Sequence, residues 1–378
     1  MNVRFGSLAP VSGAFALLAL GLDVASGCGG GAGAPAPSDG GSDRSASNGS
    51  STSGGASDIS GSSSGSSGSS GGSASSTSSG SSGGSATGSG SSGGSGSGGD
   101  GGGADGSAGG PHGIMIILME NHGYHDIIGD TTDAPYTNSL VADYASATAW
   151  TDVSHPSLPN YLALTSGSIF SNPQDCVPTW ATSAGGNCTF HAPGPNLADQ
   201  LTAARVPWKA YMEDLPSACD VGDTFPANYD VNHDPFVYYD NVVNTPAECS
   251  DVVPYTQLAT DLATNALPRF IWVSPNLIHD THDGTIAQGD AFLKGLIQSV
   301  QGSMWYAQGG SIIVTYDEGE TEEQIVNIVV SKATAGHGPF AASGNHYGTL
   351  RGIEEVFGLS LLGGASLASS GDLKPLLQ

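Results

Sequence analysis

Apolar side chains in this chain gather into short, nearly continuous runs at 113–119, 207–212, 269–273, 311–316 and 324–330. Runs of that length without polar alternation predict strands covered on both faces of a sheet. Between them, apolar residues recur at helical spacing over 136–146, 158–165, 196–204, 255–267, 291–300 and 350–357. Strand and helix in alternation predict an α/β fold with a mostly parallel sheet sandwiched by helices. In such sheets function gathers where strands surface at their carboxyl ends.

The pattern begins only after residue 110. Residues 1–27 carry one cation, Arg4, and an apolar run too short to span a bilayer, which predicts an export signal peptide. The small residues before Cys28 resemble a bacterial lipoprotein signal, so Cys28 is expected to be lipidated and simple secretion is the alternative. Residues 28–110 are almost entirely Gly, Ser, Ala and Thr, and a segment with so few apolar side chains is expected to be a disordered tether. Its root-mean-square span would be roughly 50 Å. The working domain is then 111–378, in a molecule placed in the bacterial cell envelope or secreted, with a lipid anchor as its one expected membrane contact.

A formal charge of −26 argues against a nucleic-acid partner, which needs a basic surface. It also means that an anionic substrate must be drawn in by a local cation, most simply a bound metal. Besides Cys28 there are Cys176, Cys188, Cys219 and Cys249, an even set in a chain read as exported. Of the three connectivities, Cys176–Cys188 with Cys219–Cys249 is favoured because near neighbours close with least entropy loss. No Cys-x-x-Cys spacing occurs, which disfavours a zinc site made by these cysteines.

Candidate chemistry sits at the predicted strand ends. The first strand runs into Glu120-Asn121, and the run at 311–316 runs into Asp317-Glu318; both pairs offer oxygen ligands to a hard cation. The run at 269–273 leads to a stretch holding His279, Asp280 and His282, while His337 and His346 precede the last helix. Ser157 lies between Pro156 and Pro159 at a predicted helix start, where free N–H groups and the helix dipole favour an oxyanion. A serine there is a candidate nucleophile; taken alone, it would be an ordinary cap.

Met119-Glu120-Asn121, Ser154-His155-Pro156-Ser157-Leu158-Pro159-Asn160-Tyr161, the His279-Asp280-Thr281-His282 stretch, Tyr316-Asp317-Glu318-Gly319 and Asn345-His346-Tyr347-Gly348 occur in that order. Together they resemble the phosphoesterase family of bacterial acid phosphatases and phospholipases C, in the alkaline phosphatase superfamily. The resemblance implies Ser157 as nucleophile, Asn160 as a phosphate-binding amide, and a divalent metal (Ca, Mg, Mn or Zn) on Glu120, Asn121, Ser157, Asp317 and Glu318. It implies His282 and His279 as catalytic histidines, with Asp280, His337 and His346 as second-metal or phosphate ligands. His155 is expected to stand behind the reacting groups, and His233 is read as an ordinary loop histidine. The expected function is an exported phosphomonoesterase working through a phosphoserine on a small phosphate ester or lipid headgroup. A phospholipase C-type phosphodiesterase is the alternative, and a surface binding protein that has kept the fold is the remote one.

Overall fold

Six apolar residues in succession, Ile114–Met119, can be accommodated only where both faces of a strand are covered, and this strand, β1, lies inside the sheet with every residue buried. The computed structural model describes residues 113–172, 174–179, 188–221 and 228–377. The expected signal segment, Cys28 and the Gly/Ser-rich stretch lie outside these described residues.

The other strands, in chain order, are β2 (Ala145–Thr151), β3 (Val177–Pro178), β4 (Thr189–Phe190), β5 (Trp208–Met212), β6 (Val252–Pro254), β7 (Phe270–Ser274), β8 (Ser311–Tyr316), β9 (Gln324–Ile325), β10 (Asn327–Val330) and β11 (Pro339–Asn345). Among the described residues they form a nine-stranded sheet, β11-β2-β10-β8-β1-β7-β5-β6 with β9 added to β2, and a small β3-β4 pair. From β8 through β1, β7 and β5 to β6 every pairing is parallel, and β11 is parallel to β2. Only β9 and β10 run the other way, so the sheet is mixed around a parallel centre.

Helices are α1 (Tyr124–Ile127), α2 (Pro135–Asp143), α3 (Ser157–Ser166), α4 (Leu197–Ala203), α5 (Asp240–Asn244), α6 (Pro246–Cys249), α7 (Thr256–Thr264), α8 (Ile286–Gln301), α9 (Met304–Ala307) and α10 (His346–Phe357). None among the described residues is long and apolar enough to cross a membrane. The helix expected over 136–146 stops at Asp143, where Tyr144 turns extended and Ala145 enters β2. The run at 324–330 breaks at Val326, so its first part pairs with β2 and its second with β8 and β2. α8 starts at Ile286, earlier than the apolar spacing suggests, because Thr285 and Gln288 form a capping box.

The helix that begins at the candidate nucleophile, α3, is enclosed on every side, with all ten of its residues buried. Gly167 ends it at φ 70°, a left-handed conformation, and a Cβ there would strike the Leu362 carbonyl. The structure closes the disulfides Cys176–Cys188 and Cys219–Cys249, the local pairing.

Candidate active site

The register of the sheet builds the centre. Met119 of β1 stands opposite Tyr316 of β8, so the next residues, Glu120 and Asp317, emerge side by side at the carboxyl ends of neighbouring parallel strands. The Asp317 N–H donates to the Met119 carbonyl at 2.9 Å, continuing the ladder by one step. Asn121 turns at φ 59°, and its N–H donates to Asp317 Oδ1 at 3.2 Å. Asn suits that left-handed turn better than most residues because its short polar side chain tolerates it.

α3 delivers the hydroxyl. Ser157 occupies the first helical position after Pro156 and is 4% exposed. Its Oγ donates to Glu120 Oε2 at 3.0 Å, joining residues separated by 37 positions. One turn later Tyr161 donates its hydroxyl to the other oxygen, Glu120 Oε1, at 2.5 Å. Both carboxylate oxygens of a fully buried acid are thereby engaged by one helix.

Asn160 lies on the same helix and does different work. Its Nδ2 donates to the Ser154 carbonyl at 2.7 Å and to Glu318 Oε2 at 3.0 Å, and its Oδ1 accepts from the N–H groups of Val153 and Ser154. Both Nδ2 hydrogens are therefore committed, to the loop and to Glu318, so contact with a phosphate oxygen requires release of one of these two acceptors. His155 places Nδ1 at 3.2 Å from Glu318 Oε2 and Nε2 at 3.4 Å from Asp152, so it stands beside the carboxylates.

A second buried group backs Glu120. His233 Nε2 lies 3.4 Å from Glu120 Oε1 and its Nδ1 lies 3.1 Å from Asp280 Oδ2, while its ring stacks on Tyr161 at 5.3 Å. The loop-histidine reading of His233 is thus overturned: the turn-like sequence around it folds inward and places the imidazole against the central acid. Asp280 also accepts the His282 N–H at 2.8 Å, and the His282 ring lies 5.6 Å from that of His233 at the more open side.

The remaining candidates separate. His346 is buried, with Nε2 at 2.5 Å from the Asp317 carbonyl, and burial pushes its pKa down to about 4, so it is a neutral donor there. His279 turns away: its Nδ1 pairs with Glu213 at 2.9 Å and its ring stacks on Phe292 at 5.0 Å. The sequence placed it near Asp280, but the turn after β7 points successive side chains in different directions. His337 sits exposed in the turn between β10 and β11, its N–H donating to Thr334, and no contact of it with the carboxylates occurs among the described residues.

The electrostatics are those of acids crowded out of water. Burial pushes the Glu120 carboxyl up to about 7, against the pull of His233. Burial opposes charge on His233, but Glu120 and Asp280 outweigh it and hold its pKa up to about 10. Asp317 lies well above the usual carboxylate range through burial and the neighbouring charges of Glu120 and Glu318, and its Oδ2 has no hydrogen-bond partner. Glu318 is raised by burial while His155 lowers it. Among the described residues no three His, Cys, Asp or Glu side chains already converge as a metal cluster. The donor chemistry nevertheless fits a hard cation: carboxylate and hydroxyl oxygens gather in one buried place, and Asp317 Oδ2 there has no partner.

The chain has recognisable relatives among known proteins. The model of the Phosphoesterase family matches residues 130–349. The chain is 32% identical over 260 residues to a phosphatidylinositol-3-phosphatase of Mycobacterium tuberculosis, covering 68% of this chain and 80% of that protein. It is 26% identical over 261 residues to a probable acid phosphatase of Kluyveromyces lactis, covering 66% of this chain and 58% of that one, so it spans little more than half of this fungal relative. Among solved structures, a protein in the alkaline phosphatase superfamily from Vibrio parahaemolyticus superimposes with TM-score 0.45 at 13% identity, covering 66% of this chain and 67% of that chain.

Proposed function

Since this chain belongs to the Phosphoesterase family and is a hydrolase of phosphoric esters, we propose that it is an exported, metal-dependent phosphomonoesterase with Ser157 as nucleophile. The observation that carries this reading is the 3.0 Å hydrogen bond from Ser157 Oγ, at the start of a buried helix, to the Glu120 carboxylate. That bond fixes the direction in which the hydroxyl proton leaves, and Tyr161 and His233 hold the acceptor in place. Ser157 attacks phosphorus, the ester P–O bond breaks, and the leaving oxygen takes a proton from His282, the imidazole at the open side. Water then gives a proton to His282 as its oxygen attacks phosphorus, the Ser157 O–P bond breaks, and Glu120 returns the proton to the Ser157 oxygen. Glu120, Asn121, Asp317 and Glu318 would hold a divalent cation, whose charge would lower the hydroxyl pKa and offset the substrate's. The two disulfides support an oxidising compartment for this domain. The name of the mycobacterial relative supports a phosphoinositide headgroup as a substrate.

The test is turnover of p-nitrophenyl phosphate against bis-p-nitrophenyl phosphate, with and without chelator. Monoester turnover that chelator removes and a divalent metal restores is expected, as is its loss in Ser157→Ala. Preference for the diester would favour a phospholipase C-type enzyme instead. No turnover of either ester with metals supplied would favour a binding protein.

A further inference from the structure

The start of α3 has few donors to give. Pro159 has no N–H, so beside the nucleophile the free amide of the first turn is that of Leu158. It is occupied. Leu158 N–H donates to Asp175 Oδ1 at 2.9 Å, a carboxylate brought from 17 residues further along the chain. Pro156 supplies no side-chain cap, so Asp175 does the capping from outside the helix.

The backbone that carries Asp175 is anchored, while its carboxylate has the Leu158 N–H as partner. The next residue, Cys176, is bonded to Cys188, and its carbonyl accepts the buried Tyr238 hydroxyl at 2.7 Å. The carboxylate is half-buried and acts electrostatically on the same groups that surround Ser157: His233 and His282 attract it, and it repels Glu318. A negative group thus rests on a positive helix end beside the nucleophile, where an oxygen of a phosphate ester would come to lie.

We propose that Asp175 is a resident anion on the phosphoryl seat, a carboxylate that substrate and product phosphate must displace from Leu158 N–H. This rests on the phosphomonoesterase reading. Its consequence is weak retention of inorganic phosphate, because the product leaves a seat that a tethered carboxylate refills.

The experiment compares wild type with Asp175→Asn, which keeps an acceptor for Leu158 N–H and removes the charge, and with Asp175→Ser as a second, smaller acceptor. Inorganic phosphate binding is measured by calorimetry and as the inhibition constant in monoester turnover, at fixed divalent cation. Removing a like charge at this range is expected to tighten phosphate about tenfold and to lower KM in step, with kcat unchanged or reduced. Unchanged or weaker phosphate binding in both variants, with thermal midpoints near wild type, would overturn the role. Calorimetry needs no turnover, so an inactive wild type would sink the phosphatase reading while leaving this measurement decisive on its own.

Discussion

His233 shows how much a single side chain can add to a site. Its imidazole bridges Glu120 and Asp280 and stacks on Tyr161, which fixes both the orientation and the charge balance of the acid that receives the Ser157 hydroxyl. His233→Phe preserves the stack but removes both polar contacts, so kcat/KM should fall by about 10²-fold with the fold intact. Steady-state kinetics beside a thermal melt checks this; wild-type kcat/KM would make His233 a packing residue. Ser157, Glu120 and Asp317 were legible in the sequence because each sits at the boundary of an element whose pattern is plain. His233 and Asp175 were not, because Val231-Asn232-His233-Asp234-Pro235 reads as turn chemistry and Asp175 precedes a cysteine in a loop. Their partners, Glu120 and Leu158, are distant in sequence, and no local pattern encodes such a meeting.

Elements were legible in proportion to how strongly they are buried on two sides. β1, β5, β7 and β8 follow the apolar runs almost to the residue. β2, Ala145–Thr151, is built of small and polar residues with Trp150 as its large buried side chain, and β11, Pro339–Asn345, is mostly exposed. Neither carries a period of its own, and each is extended because a neighbour pairs with it. α10 shows a related effect in its energetics. Glu354 on that helix is fully buried and accepts the Leu362 N–H at 2.9 Å, tying the helix to the chain beyond it, and burial pushes its pKa up to about 8. A carboxyl raised in the folded state favours folding below its unfolded pKa, near 4.5, and that contribution is lost as pH rises through about 8. Glu354→Gln should therefore leave the melting temperature at pH 4 little changed and raise it by a few degrees at pH 9 relative to wild type. Equal shifts at both pH values would mean that Glu354 is ionised throughout.

At the scale of the molecule, parallel strands set the acids of β1 and β8 next to each other, and α3 brings the hydroxyl to them from one side. The local disulfide pairing was legible from loop-closure entropy alone, whereas the antiparallel insertion of β10 between β8 and β2 was not, because strand direction leaves no mark on a short apolar run. With every residue from Ser157 to Ser166 enclosed, α3 has no solvent-facing side along which it could loosen by itself. Amide protons in its middle, such as those of Leu162 and Leu164, should exchange with deuterium as slowly as those of β1, since both wait for the same global opening. Faster exchange in α3 than in β1 would reveal a separate opening of the helix that carries Ser157. Equal protection would mean that the Ser157 hydroxyl is as rigidly mounted as the centre of the sheet, and that motion during turnover belongs to the substrate and the surrounding loops.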